Sequence, residues 1–407
     1  MEKITTDIST FENLRKGCYT YVDKTDLQIR GEESVWEAAV LALRLAVFMV
    51  VGLAAAATCF GNVWDVTVGD FARATAETGD SARIQRAIAA AGEGGVVWFP
   101  RGEYEIDTML VVSNRASLLL HKSARLKAVK AMPFVLRYFG GQFEKGARTD
   151  RNLFIRGGEF DGNGLSGCVN VMGCKHFSLA DATFGNGKRV GLQLGDPELP
   201  RKVADGYEIF GNNLYFICNM PGLAGNVAFL TYLGDSHFTD MVAVDYTVGI
   251  RNASGGANRY TRCHVWGGPV RKPGTNESEY LPNSIAFDLG GGETLLDACY
   301  ADTAMIGYLV RRSARIVNCA YYNNYPVFKM DGPEVFVHED GSELLVTGGR
   351  FAKDSPHATL YRRGEKAGRL VWSDNRALRF TAEELKGLED ALKAGDRTLG
   401  ERDRGFR

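Results

Sequence analysis

FTDMVAVDY (residues 238–246), YTRCHVWGG (260–268), LDACYADT (296–303) and IVNCAYYNN (316–324) are four versions of one short phrase. Aligned on Met241, Cys263, Cys299 and Cys319, they repeat every 20 to 22 residues, except for one longer step holding an insertion at 269–283. IRGGEFDGN (155–163) and LADATFGNG (179–187) join the same alignment through Gly158 and Ala182, and VGI (248–250), IAF (285–287) and IGY (306–308) recur in step with it. A repeat of this length is one coil of a solenoid, in which each turn of chain stacks on the last and buries a shared core.

Successive residues of a strand point to opposite faces. With the aligned Cys and Met positions inward, Ala243, Val265, Ala301 and Tyr321 also point inward. Two outward columns remain. One reads Glu159, Thr183, Val242, His264, Tyr300, Ala320, and the next Asp161, Gly185, Val244, Trp266, Asp302, Tyr322. Asp245 and the Asn323-Asn324 pair follow directly.

Upstream, Asp80 or Ser81 caps an amphipathic helix with apolar residues at 84, 87, 88 and 91, and GGVVWFPRGEY (94–104) and LLLHKSARL (118–126) follow as strands and turns. This helix-then-strand entry resembles that of the pectate-lyase-like superfamily of right-handed parallel β-helices. The resemblance implies an all-β solenoid over residues 62–380 with a helix at its N-terminal end. Thr381 and Glu384 make a capping box for a short C-terminal helix, and the charged residues beyond 395 read as a frayed tail.

The first sixty residues read differently. LAVFMVVGLAAAA (45–57), preceded by Arg44, has the length of a signal-peptide core and is too short for a comfortable membrane span, so export to a secreted or periplasmic location is expected. Lipid anchoring at Cys59 fits less well. Residues 4–26 resemble the opening of a bacterial AAA-type ATPase and nuclease-like family. No G-x-x-x-x-G-K-[ST] follows, so no function transfers, and residues 1–40 read as an extension outside the fold.

Composition narrows the partners. Lys and Arg total 48 against 49 Asp and Glu, so there is no basic excess to hold nucleic acid. The eight cysteines show no metal-ligand spacing and read mainly as core residues, with a Cys168–Cys174 disulfide conceivable in an oxidising compartment. Monomer and trimer remain open.

The outward patch of Trp266, Tyr300 and Tyr322 beside Asp302 and His264 suits a polysaccharide or oligosaccharide, because aromatic faces stack on sugar C–H surfaces while carboxylates and imidazole take hydroxyls or protons. Rung-to-rung stacking would account for the aromatic residues equally well. Asp245 and Asp302 stand two rungs apart, about 10 Å at the usual strand spacing, nearer the separation of an inverting glycosidase (about 6.5–9.5 Å) than of a retaining one. His264 lies on the rung between and is placed to relay a proton. Substrate contacts are expected from Trp266, Tyr300, Tyr322 and Asn323; from Arg189; from Glu159 and Asp161, whose F-D-G-N setting also reads as plain turn chemistry; and from Arg271, Lys272, Glu277 and Glu279 of the insertion.

Polygalacturonases resemble this chain in fold, and their catalytic aspartates follow the Cys-bearing strand in N-T-D-G and G-D-D patterns. The matching stretches here are Trp266-Gly267-Gly268 and Asp302-Thr303-Ala304, and G-H-G and R-I-K are absent, so only Asp302 keeps the place. Three activities stay open: a glycoside hydrolase or glycosyl-transferring enzyme such as the β-helical fructan transferases, needing no cofactor; a polysaccharide lyase, with Ca²⁺ as its cofactor; and a surface β-helix that only binds glycan.

Overall fold

The computed structural model describes residues 63–141, 152–220, 223, 225–267, 270–271, 278–279, 283–323, 332–393 and 397–398. The export segment, residues 1–40 and most of the insertion lie outside these. Within them the chain winds through three long sheets whose strands pair in parallel with the equivalent strand of the next coil. One coil shows the plan: Ser178–Ala180 in the first sheet, Thr183–Gly185 in the second, Val190–Leu194 in the third. The architecture is a right-handed parallel β-helix, with helix Ser81–Ala91 at one end and helix Ala382–Lys393 near the other.

The corner between the first and second sheets explains why the repeat was legible. Asp181, Asn213, Asp240, Arg262, Ala298, Asn318 and Asp374 each take a left-handed backbone there, with φ between 51° and 56°. Asp and Asn tolerate that conformation because their short polar side chains bond locally, which is the reason they recur. The next residue turns inward, so Ala182, Leu214, Met241, Cys263, Cys299 and Cys319 form a buried column.

The core is a set of ladders. Phe184 stacks between Phe160 and Phe216 with ring centroids 5.8 and 5.0 Å away, and Tyr308 between Phe287 and Phe336 at 5.4 and 5.0 Å. Cys168 and Cys174 are buried free thiols, so the conceivable disulfide is not formed. Helix Ser81–Ala91 buries Ile84, Ala87 and Ile88, as its periodicity indicated. Asp80 does not cap it through its side chain; the carboxylate instead accepts Glu105 N at 2.7 Å. At the C-terminal helix the capping box is real: Thr381 N donates to Glu384 Oε2 at 2.7 Å and Glu384 N to Thr381 Oγ1 at 3.4 Å. Part of the expected frayed tail is ordered, since Arg397–Thr398 pairs in parallel with Val371 and Trp372.

Burial pushes the phenols of Tyr138, Tyr246, Tyr260, Tyr308 and Tyr321 above their ordinary range. In the unfolded chain these groups ionise near pH 10, while in the fold they stay protonated, so the unfolded state binds fewer protons above that pH. Stability is therefore expected to hold up to about pH 10 and to fall as pH rises further. Urea midpoints measured on either side of that pH check this, and an unchanged alkaline midpoint contradicts it.

Candidate functional site

The second sheet carries the two outward columns in the expected register. Val242 pairs with His264, His264 with Tyr300, and Tyr300 with Ala320; beside them Val244, Trp266, Asp302 and Tyr322 pair in the same order. The structure adds a rung, Tyr215–Ile217, between Thr183 and Val242. It also prolongs the first column past Ala320 through Arg350 and Arg376, both exposed, which sequence alignment did not reach because the coil step lengthens there.

Asp302 is the centre of the patch. Its carboxylate accepts Thr303 Oγ1 at 2.5 Å, its charge acts on the neighbouring Tyr300 phenol, and its Oδ2 lies 3.9 Å from His264 Nε2. The His264 ring lies flat on Tyr300, centroids 4.8 Å apart and planes 12° from parallel. His264 Nε2 has no hydrogen-bond partner, so it is one short movement from the carboxylate or from a ligand oxygen. Burial first, and then the Asp302 charge, push the Tyr300 phenol well above its ordinary range, so it remains a protonated donor at neutral pH. On the next rung Tyr322 Oη donates to Asp354 Oδ2 at 3.0 Å, and Arg379 holds the other Asp354 oxygen.

Other expected residues are placed elsewhere or spent on the scaffold. Asp245 occupies the turn after its strand, in a left-handed backbone with φ 61°, and its N–H donates to Trp266 O at 3.2 Å. The pairing of Val244 with Trp266 and of Trp266 with Asp302 keeps it two rungs from Asp302. Asn323 is fully buried, and its Oδ1 accepts Asp354 N at 2.7 Å and Ser355 N at 3.1 Å. Asp161 is also fully buried, taken up by Arg125, by Asn163 N at 2.8 Å and by Asn186 Nδ2 at 3.1 Å. Both side chains are spent on the scaffold, Asp161 partly on the F-D-G-N turn that follows its strand, through the bond from Asn163 N.

Glu159 is half-buried beside Arg125, 3.3 Å away; burial raises its carboxyl and the guanidinium opposes that. Arg189 is exposed in the turn before Val190–Leu194, three rungs short of His264 and so roughly 14 Å off along the axis. Arg271 and Glu279 lie in a small antiparallel ribbon, Val270–Arg271 with Ser278–Glu279. Lys272 and Glu277 fall outside the described residues. Among the described residues no cluster of three or more His, Cys, Asp or Glu is arranged to hold a metal, and no helix is long and apolar enough to cross a membrane.

A further concavity lies away from this patch. A cleft of about 910 Å³ opens where the third sheet turns into the first, walled by the excursion that contains Asp196 and Tyr207 and floored by turns at Gly234, Gly256 and Gly292. Nothing in the repeat pointed to it, because its residues come from turns of unequal length.

No protein-family model matches the chain, and no curated protein sequence matches it. Solved structures do. The surface adhesin PfbA of Streptococcus pneumoniae aligns with 14% identity over 77% of this chain and 88% of its own, TM-score 0.51. A second structure of the same adhesin gives 13% over 77% and 95%, TM-score 0.50. Endo-xylogalacturonan hydrolase from Aspergillus tubingensis aligns with 11% identity over 76% and 96%, TM-score 0.49. Similarity at this level is similarity of scaffold, and it agrees with the stacked parallel sheets: the chain is a right-handed parallel β-helix.

Proposed function

We propose that the chain binds a polysaccharide or oligosaccharide along the outer face of its second sheet and cleaves it by acid–base chemistry centred on Asp302. The observation that carries this reading is the convergence of His264, Tyr300 and Thr303 on one carboxylate, between Trp266 and Tyr322 on the neighbouring rungs. Sugar rings would lie against the aromatic residues, Asp302 would take the proton of the attacking water, and an acid of the insertion, Glu277 or Glu279, would serve the leaving oxygen, since His264 at 3.9 Å is too near Asp302 to stand on the opposite face of the ring. Asp245, two rungs from Asp302, is the other carboxylate that could serve as this acid. The proposed setting is extracellular or periplasmic, following the export segment.

A second reading, β-elimination, is favoured by the prolonged column. Arg350 and Arg376 give the wall a basic end suited to a uronate, and His264 with protonated Tyr300 supplies a base and an acid side by side. In that case the substrate is an acidic glycan.

Incubating the full chain with neutral and acidic polysaccharides separates the readings. New reducing ends without the ultraviolet absorbance of an unsaturated uronate indicate hydrolysis, and both together indicate elimination. Small products with few new ends indicate glycosyl transfer, so products should be sized. Binding with no product from any glycan would overturn the catalytic reading and leave a glycan-binding β-helix.

A further inference from the structure

We infer that the cleft between the third and first sheets is a second carbohydrate site, separate from the Asp302 wall, that takes a neutral or amine-bearing oligosaccharide. Each coil passes from first to second to third sheet, so the turns forming this cleft stand across the cross-section from the second sheet. At about 910 Å³ it is of the size that encloses small ligands.

Its floor is rigid. Asn252 Nδ2 donates to Thr294 Oγ1 at 2.8 Å, Asn258 Nδ2 to Leu233 O at 2.7 Å, and Ser236 N to Asn258 Oδ1 at 3.0 Å, all four side chains being fully buried. On that floor, Gly256 and Gly292 are glycines that neither backbone nor packing requires. Neither has a left-handed φ; a Cβ on Gly292 would meet nothing within 4 Å, and one on Gly256 only Gly292 O at 3.5 Å. What a side chain there would do is fill the cleft.

The walls supply the recognition chemistry. Tyr207 and Tyr232 offer ring faces for sugar C–H surfaces, and Lys175 braces Tyr207 from 4.7 Å. Asp196, Asp235 and Glu293 line the cleft, and its cationic lining residue, Arg201, is paired with a fourth acid, Asp205, at 3.6 Å, so hydroxyls and ammonium groups are welcomed and carboxylates repelled. The Asp302 wall ends on Arg350 and Arg376, so the two sites have opposite charge preferences.

Titrating the full chain calorimetrically with a glucosamine tetrasaccharide, a cello-tetrasaccharide and a tetragalacturonide tests this. The glucosamine and cello-tetrasaccharides are expected to bind, and Gly292→Phe to weaken the glucosamine ligand by at least about tenfold with an unchanged melting temperature. Trp266→Ala, which strips a sugar-stacking ring from the Asp302 wall, should leave that binding as it is, which separates failure of this inference from failure of the catalytic one. If Gly292→Phe proves unstable, Tyr232→Ala decides, with the same loss expected. Absence of binding to the unmodified chain, equal affinity in the decisive variant, or preference of the cleft for the galacturonide would overturn the proposal.

Discussion

Asp302→Asn is expected to lower kcat on the cleaved glycan by about a thousandfold, within the range seen when a positioned general acid or base is removed. The amide is nearly isosteric, and its oxygen can still accept the Thr303 hydroxyl, so the wall should keep its shape and KM should change little. What disappears is the charge. Without it, no carboxylate faces His264 Nε2 across the 3.9 Å gap, and the Tyr300 phenol loses the charge that, after burial, pushes it above its ordinary range. The measurement is steady-state kinetics paired with glycan affinity. A kcat within a few-fold of the unmodified chain would remove Asp302 from the chemistry, whereas loss of affinity with unchanged kcat would make it a binding residue.

Phe184→Ala is expected to cost about 3–5 kcal/mol, the range for deleting a fully buried aromatic ring. Its ring is flanked by Phe160 and Phe216, so the cavity opens between two stacked neighbours held in place by their own rungs and cannot close by local collapse. Because each coil leans mainly on the coils beside it, the loss should appear as earlier unfolding of the rungs around residues 159–217 rather than as a uniform shift. Urea titration monitored by hydrogen exchange resolves the two. A midpoint shift worth less than about 1 kcal/mol would mean the ladder is not a principal source of cohesion.

The two variants bracket what the repeat made visible. Phe184 and Asp302 sit on the same sheet with opposite facing, and the alternation of side chains along a strand assigned both correctly. Register was legible because one corner of the coil imposes a left-handed residue, satisfied by Asp181, Asp240 and Asn318, followed by an inward residue such as Cys263 or Cys299. The rung of Tyr215 escaped notice because the excursion carrying Asp196 and Tyr207 stretches its coil. Asp161 follows the turn chemistry that its F-D-G-N setting offered, whereas Asn323, expected to contact substrate, is buried, because a turn position in a strand pattern does not show which neighbouring backbone groups will take up its polar atoms. Both polar groups are consumed by backbone and neighbouring side chains, a common use of buried Asp and Asn at strand ends.

By itself, then, the order of residues determined a parallel solenoid, the facing of its side chains and the neighbourhood of His264, Tyr300 and Asp302, because all three follow from local periodicity and from backbone preferences acting over a few residues. Only the tertiary structure decided that Asp161 and Asn323 are buried, that Arg350 and Arg376 extend the wall, and that a large acid-lined cleft opens on another edge. Those outcomes depend on the lengths and paths of the turns. Turns answer to contacts between coils distant in the chain, and no short-range pattern records them.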